Sequence, residues 1–220
     1  MGGKDKIHEV TISPLGLAGT LHIPAGAHAV VAFAHGSGSS RFSPRNKVVA
    51  DALNLKGFAT LLFDLLTEDE EADRTNVFDI PLLASRLTDA IRWLDGDRWA
   101  SGVPLGLFGA STGAAAAFVA AATCSERVGA IVSRGGRPDL AGATLTKIRT
   151  PTLLIVGGVD YSVIELNEQA LAQLRGPKAM EIIPDASHLF PEPGALEMVI
   201  EHAVRWFSIY LLKPVPLRSS

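Results

Sequence analysis

The chain of 220 residues has very little cysteine: Cys124 stands alone, so no intramolecular disulfide can form. This excludes a disulfide-stapled secreted scaffold, and we expect a cytoplasmic protein. The net charge is only −3, which gives no electrostatic basis for binding nucleic acid or an anionic membrane. Long apolar runs that could span a membrane are missing, and the first residues lack a signal-peptide core. We therefore expect a small molecule as the partner, and no nucleic acid or membrane.

The chain is rich in apolar residues. They make up 47% of the sequence, against 20% charged residues. This balance excludes a disordered or collagen-like chain and is typical of a sheet that is buried on both faces. The length suits one well-cored domain, so we predict a single domain over residues 1–220.

The order of the apolar segments predicts the architecture. Alternating residues on both sides of Ser13-Pro14-Leu15-Gly16 indicate an antiparallel hairpin at one edge of the sheet. After it, continuous apolar runs alternate with helical patterns, which is typical of βαβ units. We expect an acidic loop at 68–71 and a mostly parallel, doubly wound α/β sheet of eight strands. The predicted strands are 7–12, 17–23, 29–34, 59–63, 103–108, 128–133, 152–156 and 179–183, and the predicted helices are 44–56, 81–94, 114–122, 163–174 and 195–212.

The most informative motif is Gly109-Ala110-Ser111-Thr112-Gly113, which lies between an apolar strand and an alanine-rich helix. A serine on so sharp a strand-to-helix turn has a strained backbone, and its neighbours at Gly109 and Gly113 must lack bulk. The turn pushes the hydroxyl out of the end of the sheet, where a base can reach it. Ser111 is therefore the predicted nucleophile; the alternative is an ordinary capping serine at a glycine-rich helix start.

A serine nucleophile needs a base and a carboxylate that orients the base. In an open parallel sheet such groups collect beyond the carboxyl ends of strands. His188 follows the last predicted strand and Asp160 follows the strand before it, which makes them the predicted base and orienting acid. Asp139 and Asp185 remain as rivals for the acid. The other histidines lie on the antiparallel edge, in the last helix, or at position 35, where we expect a structural role.

The reaction would also need two N–H donors for the oxyanion that develops during attack on a carbonyl. We predict one at Thr112, directly after the nucleophile, and the other at Ser37 in the loop His35-Gly36-Ser37-Gly38. Gly36 would let the backbone approach a substrate. A phosphate-binding loop is the competing interpretation, but the segment lacks the lysine and the glycine spacing of the known phosphate motifs.

Together, the loop at 35–38, the motif around Ser111, Asp160 and His188 resemble the α/β-hydrolase superfamily over nearly the whole chain. Within it, the small size is similar to the dienelactone hydrolase-like and small carboxylesterase group. The resemblance implies hydrolysis of esters or thioesters through an acyl-serine, without a metal or an organic cofactor. Dienelactone hydrolases carry cysteine where Ser111 stands here, which favours ordinary carboxylesterase chemistry. Acyl transfer, peptide cleavage, perhydrolysis and a non-hydrolytic, receptor-like role stay open, as do a monomer and a homodimer.

Many members of the superfamily insert a cap after the strand that is predicted to end at Ser133, but here only 134–149 intervene. No substantial cap is expected, and the open pocket favours small esters over long acyl chains. Arg41, Arg45 and Arg134 fall on loops at the same end. They could pair with the acidic residues 68–71 or Asp139. Alternatively, Arg41 or Arg134 could bind a substrate carboxylate with both donors of a guanidinium edge.

Overall fold

The computed structural model describes residues 4–212. Its eight strands form one sheet in the order β1-β2-β4-β3-β5-β6-β7-β8. The first pair is antiparallel, β2 pairs antiparallel with β4, and every other neighbouring pair is parallel. The predicted α/β architecture is confirmed. The strands are β1 (Lys6–Ile12), β2 (Leu17–Ile23), β3 (Ala29–Ala34), β4 (Phe58–Phe63), β5 (Leu105–Ala110), β6 (Val128–Arg134), β7 (Thr152–Gly157) and β8 (Lys178–Ile183).

Helices cover both faces of the sheet, which explains why the central strands are continuously apolar. The core on one face includes residues of α1 and α6, and the core on the other includes residues of α3, α4 and α5. None of the helices within residues 4–212 is both long and apolar enough to cross a membrane. The helices are α1 (Pro44–Leu55), α2 (Glu68–Ala72), α3 (Ile80–Gly96), α4 (Thr112–Thr123), α5 (Tyr161–Gln173) and α6 (Ala195–Leu211), with short 3₁₀ segments at Asn76–Phe78 and Pro138–Lys147.

The prediction of a loop at the acidic residues 68–71 is wrong, because these residues form the short helix α2. Thr67 caps its start: the threonine hydroxyl accepts the Glu70 N–H, and the Glu70 carboxylate accepts the Thr67 N–H. This reciprocal arrangement satisfies two N–H groups that a helix start leaves free. Negative side chains in a first turn are also favoured by the helix dipole, so the cluster that suggested a loop stabilises a helix.

The connection between β6 and β7 leaves the carboxyl end of the sheet without a large cap. It holds only the segment Pro138–Lys147, which is kinked at Gly142 and packs on α4 and α5. The prediction of no substantial cap domain is confirmed. The loops that follow β3, β5, β6, β7 and β8 therefore converge at this end of the sheet, and they carry the predicted site.

Candidate active site

Ser111 lies at the turn between β5 and α4 with φ 52° and ψ −122°, a conformation that side chains other than glycine rarely adopt. The turn brings the start of α4 against the end of β3. A Cβ on Gly113 would lie 2.2 Å from the Ala34 carbonyl oxygen, and a Cβ on Gly109 would lie 2.5 Å from the Ala114 Cα. Both glycines are therefore required by close packing, as the sequence predicts. Ser111 itself is half-buried, so its hydroxyl remains accessible from the loops.

His188 lies on the loop after β8 and Asp160 lies at the end of the loop after β7. His188 Nδ1 is 2.7 Å from Asp160 Oδ2. Because a carboxylate can only accept, Nδ1 carries the proton and Nε2 of a neutral ring is left as an acceptor. The rival acids are placed elsewhere: Asp139 accepts two hydrogen bonds from Arg137, and Asp185 is exposed. Asp160 is thus the acid that orients this imidazole.

The segment after β6 lies between the serine and the histidine. The Ser111 N–H donates to the Arg134 carbonyl at 3.3 Å, and the Arg137 N–H donates to the Ser111 carbonyl at 3.1 Å. On the other side of the segment, a Cβ on Gly135 would lie 3.0 Å from the His188 carbonyl oxygen and 3.6 Å from His188 Cε1. Within residues 4–212, His188 is hydrogen-bonded to Asp160 and not to Ser111. The segment after β6 lies against both Ser111 and His188.

The loop after β3 covers the nucleophile turn from the other direction. A Cβ on Gly36 would lie 2.9 Å from the Ser111 Cβ, so only glycine allows this approach. The Ser37 N–H donates to the Thr112 hydroxyl at 2.9 Å. The Thr112 N–H belongs to the first turn of α4, where backbone donors have no partner within the helix. The two residues predicted as oxyanion donors are therefore neighbours, but the Ser37 N–H already donates to the Thr112 hydroxyl.

His35 fixes the start of that loop. Its Nε2 accepts the Leu65 N–H at 3.1 Å, and Nδ1 lies 3.1 Å from the Gly36 carbonyl, to which it donates. Burial lowers the pKa of His35, outweighing the opposing effects of the Gly36 carbonyl and nearby acids. The ring is therefore neutral, with both nitrogens in use, and it ties the loop after β3 to the segment after β4.

The three arginines differ from one another. Arg41 forms a salt bridge with Asp64, at the end of β4. The predicted pairing of these arginines with residues 68–71 or Asp139 is wrong, because Arg86 pairs with Glu70 and Arg137 pairs with Asp139. In the folded chain, Glu70 lies beside Arg86, and Asp139 lies beside Arg137. Arg45 and Arg134 form no salt bridge with any carboxylate of residues 4–212.

A family model described as an alpha/beta hydrolase domain matches residues 27–204, which include all the loops described above. The chain belongs to the α/β hydrolases. The crystal structure of a dienelactone hydrolase from Anabaena variabilis is 52% identical in sequence, with a TM-score of 0.92. The match covers 95% of this chain and 100% of that one. This places the chain in the dienelactone hydrolase-like group, as the resemblance implies.

Two further comparisons are more distant or partial. A Mycobacterium tuberculosis protein named as a phosphoribosyl transferase is 53% identical over 213 residues, which cover 97% of this chain and 48% of the relative. The chain thus spans about half the length of the curated relatives that it matches. The protein Est1E from Butyrivibrio proteoclasticus, in a structure with ferulic acid, is 16% identical with a TM-score of 0.77, and the match covers 93% of this chain and 100% of Est1E. At that identity the match shows the shared fold.

Sequence reasoning missed two contributors to the site. One is the Thr112 hydroxyl, which binds the Ser37 amide across 75 residues of chain. The other is Phe190, which is buried beneath the loop of His188 with φ +55°. A positive φ at phenylalanine has no signature in the sequence, because glycine or asparagine is the residue expected there. The threonine was found as an amide donor, but no local pattern assigns a partner to its side chain.

Proposed function

We propose that this protein is a serine hydrolase that cleaves small carboxylic esters or thioesters through an acyl-serine at Ser111. The observation that carries the proposal is the 2.7 Å hydrogen bond between His188 Nδ1 and Asp160 Oδ2. It orients an imidazole, with its other nitrogen free to accept, at the end of the sheet where a strained serine is presented. No bound metal is needed for this chemistry.

In the proposed reaction, the Ser111 hydroxyl attacks the acyl carbon while His188 Nε2 takes its proton. The negative charge that develops on the carbonyl oxygen is stabilised by the Thr112 N–H and by the Ser37 N–H, which the carbonyl oxygen would share with the Thr112 hydroxyl. The tetrahedral intermediate then breaks the bond to the leaving group, which departs as an alcohol or thiol with the proton from His188. Water, deprotonated by the same imidazole, attacks the acyl carbon; the bond to Ser111 Oγ breaks, the carboxylic acid leaves, and Oγ takes back a proton from His188. Asp160 keeps the ring oriented and stabilises the imidazolium in both halves.

The family and the neighbours support hydrolysis, while the ester substrate is our inference from the site. The transferase name of the mycobacterial relatives belongs to proteins twice as long as the matched region. The matched half of those relatives aligns with a chain whose own site contains a serine, an oriented imidazole and backbone donors. We therefore do not extend the transferase name to this chain.

The test is hydrolysis of p-nitrophenyl acetate and butyrate by the wild type and by Ser111→Ala, together with labelling by a fluorophosphonate probe and mass spectrometry. We expect turnover and a single adduct at Ser111, and a loss of about 10⁴-fold or more in kcat in the variant. Ser125→Ala is the matched control, because Ser125 is exposed and lies beyond the far end of α4. An unlabelled wild type without turnover would refute the proposal and favour a ligand-binding role.

A further inference from the structure

Arg134 is the last residue of β6, and its side chain is buried at 6% exposure. Its Nη2 donates to Asn46 Oδ1 at 3.3 Å. Nε and Nη1 are shielded from solvent and donate to no group within residues 4–212. A guanidinium has five N–H donors and stays charged in proteins. Most of the hydrogen-bonding capacity of this cation is therefore unused in a place that water does not reach.

The surroundings of Arg134 add positive charge. Arg45, in the first turn of α1, is close enough to repel it, and its own Nε is also buried without a partner. Burial first, and then Arg45, lowers the pKa of Arg134 to about 10, so the group is still a cation at neutral pH. The first turn of α1 also contributes the positive end of a helix of 12 residues. Two cations and a helix start thus face one another.

The negative charge that would balance this group is not supplied by the described chain. No carboxylate of residues 4–212 lies within salt-bridge distance of Arg45 or Arg134, including Asp185 and Glu192 on the loop of His188. The buried Phe190 ring, whose centroid is 6.0 Å from the Arg134 guanidinium carbon, offers no acceptor with a negative charge. Buried charges in proteins are paired or fully hydrogen-bonded, because an isolated one is costly.

We propose that Arg134 and Arg45 form a binding site for a small oxyanion of the carboxylate class, at the base of the loop that carries His188. A carboxylate matches the planar donor edges of a guanidinium and provides acceptors for the unused N–H groups. Half-buried Arg45 marks the side from which the anion would enter. The anion is either a free one or the carboxylate of an ester substrate; the second source rests on the proposed function, whereas the site itself does not.

The site is tested with sodium formate, the smallest carboxylate, titrated at constant ionic strength against sodium chloride, whose anion is not a carboxylate. We expect a saturable rise of about 5 °C in the Tm of the wild type. Arg134→Met should abolish the rise and Arg45→Met should weaken it. Arg134→Lys keeps the charge with fewer donors and should retain part of the rise. Arg92→Met is the matched control, because the Arg92 side chain is 68% exposed on α3, and it should respond like the wild type.

Ser111→Ala should respond to formate like the wild type, so this measurement is independent of any hydrolase activity. A wild type whose Tm shows no saturable response to formate would overturn the anion site. The same conclusion would follow if Arg134→Met and Arg134→Lys both responded as strongly as the wild type. Circular dichroism of each variant establishes that it is folded before its response is compared.

The source of the anion is distinguished by kinetics with methyl hydrogen succinate and the neutral dimethyl succinate. If the substrate supplies the carboxylate, formate competes with the first ester alone, and Arg134→Met lowers kcat/KM for it at least tenfold more than for the diester. If a free anion occupies the site, formate and the variant affect both esters equally. Unchanged kcat/KM for both esters in Arg134→Met would overturn any link between the anion and the reaction.

Discussion

The nucleophile turn and the histidine loop reach the same end of the sheet by different physical means. At the turn around Ser111, the constraint is local: Gly109 and Gly113 are small because backbone atoms lie where their side chains would be. In the loop after β8, two residues other than glycine, Asp185 and Phe190, have positive φ angles of 57° and 55°. Such backbone persists only when surrounding contacts enforce it.

This difference shows which parts of a site can be recognised from the sequence alone. A turn fixed by steric exclusion requires small residues at set positions, and these can be recognised without a structure. A loop fixed by tertiary contacts depends on the Asp160 carboxylate, on Gly135 beneath the imidazole and on the packing of Phe190 near Arg134. None of these contacts is encoded near His188 in the chain. The two halves should therefore fail in different ways when they are altered.

Removing the carboxylate that holds the histidine loop's imidazole should lower activity without unfolding the chain. In Asp160→Asn, the amide can donate to Nδ1, which favours the wrong tautomer and removes the charge that stabilises the imidazolium. We expect kcat to fall by about 10³- to 10⁴-fold while the Tm changes little. Asp185→Asn is the matched control on the exposed rival acid and should retain full kcat. Equal losses in both variants would contradict the assignment of Asp160.

The nucleophile turn should lose its fold first. In Gly113→Ala, the new methyl group would lie 2.2 Å from the Ala34 carbonyl and 2.4 Å from the His35 carbonyl, both of them backbone atoms. We expect the free energy of unfolding to fall by about 3 kcal/mol or more, measured by urea denaturation. Gly96→Ala is the control, because nothing lies within 4 Å of its added methyl group and its φ is not positive. A stable Gly113→Ala would show that the turn can shift.

Individual residues show how much of the structure can be predicted from the sequence. The start of α1 at Pro44 is predicted because Ser43 and Pro44 are a cap and a first-turn residue, and the structure has Ser43 accepting the Asn46 N–H. Ser111, Asp160 and His188 are predicted from their places directly after strands of the sheet. The structure joins His188 to Asp160 by a hydrogen bond. The Arg41–Asp64 pair is not predictable in this way, because it depends on β4 lying beside β3 in the sheet.

The loop after β3 is constrained both by the close approach of Gly36 to Ser111 and by the hydrogen bond from the Ser37 N–H to the Thr112 hydroxyl. The variant Thr112→Val removes the second constraint and leaves the first. This variant keeps the shape of the side chain but removes the hydroxyl that accepts the Ser37 N–H. Without that tether, we expect the amide to be less well placed for an oxyanion, with kcat for p-nitrophenyl acetate about tenfold lower and KM little changed. Thr123→Val, on the exposed end of the same helix, should behave like the wild type. An increase in kcat would instead mean that the hydroxyl competes with the substrate for the amide.

The smallest expected effect concerns His35, which ties that loop in place. Its folded pKa lies below the usual histidine value of about 6.5 because burial disfavours the charged ring. Above pH 6.5 both folded and unfolded chains keep this ring neutral. As the pH falls below that value, the unfolded chain takes up a proton that the folded chain resists, so stability is lost towards the folded pKa. The loss from one such group is at most about 1.4 kcal/mol per pH unit.

Urea denaturation at pH 7.5, 6.5 and 5.5 measures this loss as the difference between the wild type and His35→Gln. The glutamine can still accept the Leu65 N–H but cannot be protonated, so its free energy of unfolding should fall less steeply below pH 6.5. His8→Gln removes an exposed histidine from β1 and should leave the wild-type slope unchanged. Identical slopes in wild type and His35→Gln would mean that the ring is protonated without cost in the folded chain, and that the loop after β3 is held by Thr112 rather than by His35.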